Sequence, residues 1–174
     1  MDLKAALLKE HSKKQSLMIA NYIGGDQERF DALMDLFYNE EYRITQRAAW
    51  VISHCADKYI FLVQAHLPKM TEYMVKEGLH VSIRRNIVRT FAKLDIPEAL
   101  MGLVADACFG FLANPKETVA VKAFSMEILY QMCLKEPDLA HELIPLIEDN
   151  MAMNGTAGIL SKGRKILWKL RVDG

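Results

Sequence analysis

The sequence predicts an all-α fold of stacked helix pairs: an α-α superhelix of about four pairs behind an N-terminal capping helix. Three observations predict it. The first is an apolar ladder that recurs. Ile44, Ala48, Ile52 and Cys55 fall at i, i+4, i+8 and i+11, one face of a helix with 3.6 residues per turn. The same spacing returns at Ile83, Ile87, Phe91 and Leu94, at Val121, Ser125, Leu129 and Met132, and in weaker form at Ile159, Gly163, Leu167 and Leu170. The anchors Ile44, Ile83, Val121 and Ile159 follow one another at a nearly constant step, which is a repeat. The second is proline register: Leu67-Pro68-Lys69-Met70 and Ile144-Pro145-Leu146-Ile147 place Pro68 and Pro145 two such steps apart. An interior proline costs a helix about 3 kcal/mol, so two in register imply a shared kink or helix start. The third is the lack of strand signals: apolar/polar alternation is not sustained, and no Asn-Gly or Asp-Gly turn joins β-branched runs.

The elements follow in order. Residues 1–25 form the N-terminal cap, a helix or helix pair in which Leu3 and Leu7 share a face with Leu8 beside them, Leu17, Ala20 and Ile23 (with Ile19 nearby) form another, and Lys4, Lys9, Lys13 and Lys14 stay outside. Gly24-Gly25-Asp26 breaks the chain. Repeat one, about 27–57, pairs Gln27–Glu40, with Phe30, Leu33, Met34 and Phe37 as its apolar face, with the helix at 42–56. Repeat two, about 60–95, pairs 60–76 with 80–95 around Gly78. Repeat three, about 97–135, starts a helix at Pro97-Glu98, as proline at a first turn should, and breaks at Asn114-Pro115. Repeat four, about 137–171, starts at Glu136-Pro137-Asp138 and breaks at Asn154-Gly155. All of residues 1–174 are expected to form a single domain.

Bulk properties narrow the classes. A chain of 174 residues that is 51% hydrophobic can bury a continuous core. With 22 basic and 22 acidic residues the net charge is zero, so nothing global calls for nucleic acid or an anionic membrane. Cys55, Cys108 and Cys133 are odd in number and scattered, which points to reduced, packed thiols and a cytoplasmic setting. The start, MDLKAALLKEHSKK, lacks the apolar core of a signal peptide, and no run approaches the roughly 18 apolar residues that span a bilayer.

A two-helix repeat of about 38 residues, with Leu-Pro-x-Met or Ile-Pro-Leu in the first helix and an apolar-basic-x-x-small pattern in the second, resembles HEAT/armadillo-like repeats. The matching second helices are Ile44-Thr45-Gln46-Arg47-Ala48-Ala49, Ile83-Arg84-Arg85-Asn86-Ile87-Val88 and Val121-Lys122-Ala123-Phe124-Ser125-Met126. Arg84 and Lys122 carry the family's basic residue, and Thr45 and Leu160 depart from it. The resemblance covers roughly 27–171 and implies a right-handed stack whose second helices line a concave face. The chain is also similar in general look to short HEAT-like proteins of Bacteroidetes-type genomes, some of which carry the name adenylosuccinate lyase. Lyases of that superfamily are longer and have a Gly-Ser-Ser-x-Met-Pro-x-Lys loop, which no segment here matches.

Counting three, six and ten residues from each anchor gives the columns expected on the concave side: Arg47, Trp50, His54; Asn86, Arg89, Lys93; Phe124, Glu127, Gln131; Lys162, Lys165, Lys169. Six of these twelve are basic and one is acidic, in a chain of zero net charge. With Arg43 and Arg85 beside them, Arg47, Trp50, His54, Arg89, Lys93, Lys162 and Lys165 are the candidate binding residues, since Trp and Arg are enriched among binding anchors. The competing reading is a solvated face whose long side chains cover apolar surface, and Trp50 fits packing between repeats equally well. Trp168 is expected to cap the last repeat. Asp106, inside an apolar helix, is expected to be a buried carboxylate paired with Lys122 or with Arg84 and Arg85.

No catalytic set assembles. His11, His54, His66, His80 and His141 lack His-x3-His spacing, the cysteines lack Cys-x2-Cys spacing, and Gly24-Gly25 is not followed by a Gly-Lys-Ser/Thr phosphate loop. No metal and no cofactor is expected. The function expected is therefore a non-enzymatic scaffold that binds a protein partner on the second-helix face. The alternative is nucleic-acid binding on the basic face, as in HEAT-like DNA glycosylases, and a lyase-type enzyme is the remote third.

Overall fold

In the computed structural model, which describes residues 1–153 and 155–173, the described residues form ten α-helices, two 3₁₀ segments and no strand. The chain divides into two compact units, Met1–Thr90 and Phe91–Gly174.

The first unit opens with α1 (Leu3–Lys9) and α2 (Lys13–Ile23). Both have side-chain caps: Asp2 accepts from Ala5 N (3.0 Å) and Ser12 from Gln15 N (3.1 Å), each satisfying an amide that has no partner in its helix. Gly24, at φ 58°, closes α2, a left-handed value that glycine adopts without strain. Asp26 then caps α3 (Gln27–Asn39), whose Phe30, Leu33, Met34 and Phe37 are all buried, the face the sequence assigned. The central element is α4 (Tyr42–Lys58), packed against α1, α2 and α3. Its whole ladder, Ile44, Ala48, Ile52 and Cys55, is at most 3% exposed. At about 1.5–3 kcal/mol for each large aliphatic side chain buried, that ladder supplies much of the unit's cohesion.

The first helix of repeat two differs from expectation. Instead of one helix over 60–76, residues Ile60–His66 form a 3₁₀ segment and α5 runs only over Leu67–Met74. Pro68 sits in the first turn of α5, where its missing N–H has no helical partner to lose. Gly78 (φ 70°) turns the chain into α6 (Val81–Phe91), where Ile83 and Ile87 are each 2% exposed.

In the second unit, Leu94 is buried ahead of α7 (Glu98–Ala113), α8 (Val119–Cys133), a 3₁₀ turn at Pro137–Leu139, α9 (Ala140–Met153) and α10 (Ala157–Asp173). α8 is the hub and contacts α7, α9 and α10. Its ladder, Val121, Ser125, Leu129 and Met132, is buried. Pro145 lies inside α9 rather than at its start, so the two in-register prolines play different parts. The break expected at Asn154-Gly155 falls partly outside the described residues, at Asn154; Gly155 is non-helical.

α10 follows the ladder only in its first half. Ile159 and Gly163 are buried, Leu167 and Leu170 are partly exposed, and Ile166 takes the deep position instead. Gly163 has a packing reason: a Cβ there would lie 2.6 Å from Met151 Sδ and 2.9 Å from Met151 Cγ, so α9 and α10 approach too closely for a side chain. Trp168, expected to cap the last repeat, is 65% exposed.

A buried polar knot ties this unit together. Lys122 Nζ donates to Leu112 O (3.2 Å) and to Asn150 Oδ1 (2.6 Å), while Asn150 Nδ2 donates to Leu112 O (3.0 Å) and Leu146 O (2.9 Å). Leu112 lies in the last turn of α7, where carbonyls lack helical donors and the helix dipole favours a cation. This corrects the expected pair between Asp106 and Lys122. Asp106 is exposed, because Leu103, Asp106 and Gly110 share the solvent-facing stripe of an otherwise apolar helix. Arg84 instead donates to the carbonyls of Met74 and Lys76, both at 3.3 Å.

Candidate functional site

The candidate residues are divided between the units. Arg43, Arg47, Trp50, His54, Arg85 and Arg89 belong to the first; Lys93, Lys162 and Lys165 belong to the second. In the first unit, α4 presents Arg43, Arg47, Trp50 and His54 along one side. Beside that stripe, Gln46 and Ser53 join α4 to α6 at about one repeat length: Gln46 Nε2 donates to Ser82 Oγ (2.9 Å) and Arg89 Nη1 to Ser53 Oγ (2.8 Å).

Much of the expected positive charge is already engaged. Arg47 Nη1 donates to Leu7 O at 2.6 Å, closing the C-terminal end of α1. Arg89 Nη2 reaches both oxygens of Asp57 (3.1 and 2.8 Å), and His54 Nδ1 lies 3.6 Å from Asp57 Oδ2. In the second unit, Lys162 and Lys169 both bind Glu127, at 2.9 and 3.2 Å, and the Lys169 ammonium lies 4.4 Å from the Tyr130 ring centre. Burial opposes ionisation of Glu127, but the hydrogen bonds and charges of the two lysines together outweigh it and hold its carboxyl below the usual range. Burial pushes Arg89 and Lys93 down from their ordinary values. Arg43, Arg85 and Lys165 are exposed, with no side-chain hydrogen bond among the described residues.

Trp50 is partly buried and touches two histidines. The His11 ring meets it edge-on (centroids 5.6 Å apart, 88° between planes), and the His54 ring lies tilted to it at 5.9 Å. Beside it is a recess of about 310 Å³ lined by His11, Gln46, Trp50, Ser82, Arg85 and Asn86. Sequence periodicity placed Trp50 and Asn86 in the columns expected on the concave side, and both line this recess. It missed His11, which comes from the α1–α2 turn outside the repeat, and Asp57, for which no local signal existed; Glu127 fell in a counted column, but its two lysine partners could not be read from spacing.

The three cysteines offer no activated thiol. Cys55, Cys108 and Cys133 are free and buried, and burial pushes their thiols up to about 12, about 12 and about 11. A thiol so shifted stays protonated at neutral pH and is inert. Among the described residues no group of three His, Cys, Asp or Glu side chains is placed to hold a metal ion, and no helix is long and apolar enough to cross a membrane.

Helices alone, paired at a recurring step and bonded to their counterparts one repeat on, define an all-α repeat protein of the solenoid class. The HEAT repeat domain family matches residues 3–170, and the chain belongs to that family. A crystal structure of an engineered protein is similar in fold: TM-score 0.62 at 12% identity, covering 99% of this chain and 79% of that one. No curated protein matches.

Proposed function

We propose that the protein is a non-enzymatic binding module that holds a partner protein on the α4–α6 face of its first unit, in the reducing cytoplasm where its three buried thiols stay free. The observation that carries this reading is Trp50: a partly exposed indole braced by His11 and His54 at the edge of a 310 Å³ recess. Half-buried tryptophans beside an arginine dominate binding energy at protein interfaces because they bury large area with few rotors. HEAT repeats generally mediate protein interactions, which supports the same reading. The nucleic-acid alternative is weaker. Phosphate binding needs uncommitted cations, and Arg47, Arg89, Lys162 and Lys169 are bonded within the protein.

The test compares partner capture by the tagged wild-type chain, Trp50→Ala and the control Trp168→Ala. Proteins held by wild type and the control should be lost by Trp50→Ala at equal thermal stability. A Trp50→Ala variant that retains every partner removes this face from consideration.

A further inference from the structure

The recess beside Trp50 holds a polar side chain with no partner in the protein. Asn86 is only 5% exposed and lines it, yet its side-chain amide makes no hydrogen bond among the described residues; only its backbone carbonyl is used, by Thr90 Oγ1. The amide is not sealed in the core: the recess leaves it open to whatever enters. The neighbouring polar groups do not supply the partner. Ser82 Oγ accepts from Gln46 Nε2, and it donates to His80 Nδ1, which also accepts the Ser82 N–H and is therefore the unprotonated ring nitrogen. Gln46 and Ser82 are thus committed to each other.

What remains unspent is the Asn86 amide and the exposed Arg85 guanidinium on the preceding residue of α6. No acidic side chain lines the recess, and its wall is the Trp50 indole with the edge-on His11 ring. A fixed amide, a guanidinium fork and an aromatic wall complement a carboxylate carried on an apolar stem. We propose that the recess seats the Glu or Asp side chain of an acidic segment in the partner protein, its carboxylate between Arg85 and Asn86 and its methylenes against Trp50. A segment of chain suits the site better than a free acid, because a small dicarboxylate would leave most of the 310 Å³ unfilled. This assignment rests on the α4–α6 face being the docking face, and deepens it by naming what docks there.

The experiment titrates the ¹⁵N-labelled full chain with acetyl-Gly-Gly-Glu-Glu-Gly-Gly-amide, its Gln-Gln counterpart and free glutarate. The reporters are the Asn86 side-chain amide and the Trp50 indole N–H, assigned from Asn86→Ala and Trp50→Phe spectra. The Glu peptide should shift both signals saturably. Binding should fall by about tenfold or more for the Gln peptide and for Arg85→Ala, a surface change that leaves the fold intact. The assignment is overturned by equal binding of the Gln peptide, by unchanged affinity in Arg85→Ala, by glutarate binding as tightly as the peptide, or by no shift at millimolar peptide. If Trp50→Ala loses its captured partner while the peptide shifts nothing, the docking face stands and the carboxylate seat falls. If the peptide titrates Asn86 while Trp50→Ala loses no partner, the seat stands and the docking face falls.

Discussion

Replacing Asn150 by leucine tests whether the Lys122 knot holds the second unit together. Leucine matches asparagine in shape but removes the acceptor that the Lys122 ammonium approaches most closely, 2.6 Å away, and the amide that shares Leu112 O with it. A hydrogen bond to a charged group is worth about 1.5–3 kcal/mol, and leaving the buried ammonium short of an acceptor adds desolvation not repaid elsewhere. The expected loss is about 3 kcal/mol. At about 2–4 °C per kcal/mol for a chain of this length, the melting temperature followed by circular dichroism should fall by about 6–12 °C. Lys122→Met combined with Asn150→Leu should cost less than the two single changes summed, by about 1–2 kcal/mol, because an apolar pair leaves no stranded charge. The deficit should also shrink with rising pH. Burial already holds the Lys122 ammonium below its ordinary value, and loss of the Asn150 acceptor should lower the variant's further, so between those lowered values and about pH 10.4, the unfolded lysine value, the variant gains more stability than wild type. An Asn150→Leu protein as stable as wild type, or strict additivity in the double variant, would refute the reasoning.

Four further outcomes are expected. Ile87→Asp puts a charge at a site 2% exposed on the α6 ladder and should cost about 4–5 kcal/mol or more, abolishing cooperative melting; a soluble helical variant with an unchanged melting temperature would contradict the ladder. Gly163→Val should destabilise by about 1–3 kcal/mol through overpacking against Met151 and Ile147, measured by urea unfolding. Because the carboxyl of Glu127 is held low, its contribution is present above the unfolded value of about 4.3 and is lost as pH falls through the folded value; Glu127→Gln should flatten that part of the acid-stability curve. In the native chain Cys55, Cys108 and Cys133 should resist a thiol reagent at pH 8 and all three should react in denaturant. Rapid native labelling of any of them would show that its thiol is accessible.

The ladders were legible because burial on a helix is periodic: Ile44, Ile83 and Val121 each begin a buried stripe, and Ile159 begins one that holds only through the first half of α10. Helix breaks were legible where chemistry forces them, at Gly24, Gly78 and Pro97. The start of α5 was legible in Pro68, but the 3₁₀ geometry of Ile60–His66 was not, because its contacts are tertiary: Gln27 of α3 donates to Leu62 O (3.2 Å), and His66 bonds Asp31 (2.7 Å). Trp50 could be found by counting along a helix. Its neighbour His11 could not, since a turn outside the repeat obeys no period. Asp106 misled because an apolar helix was read as buried all round, whereas α7 leaves one apolar stripe, including Leu103 at 59%, in solvent.

The pairing of Arg89 with Asp57 and of Lys162 and Lys169 with Glu127 has one further consequence. Opposite charges held within about 3 Å cancel at distances beyond the roughly 8 Å over which physiological salt already screens a bare charge. These pairs therefore exert little attraction from afar. Any salt-dependent pull on an acidic partner is left to the exposed Arg43 and Arg85 of the first unit, and what the paired charges contribute to discrimination must arise at close range, after the surfaces have met.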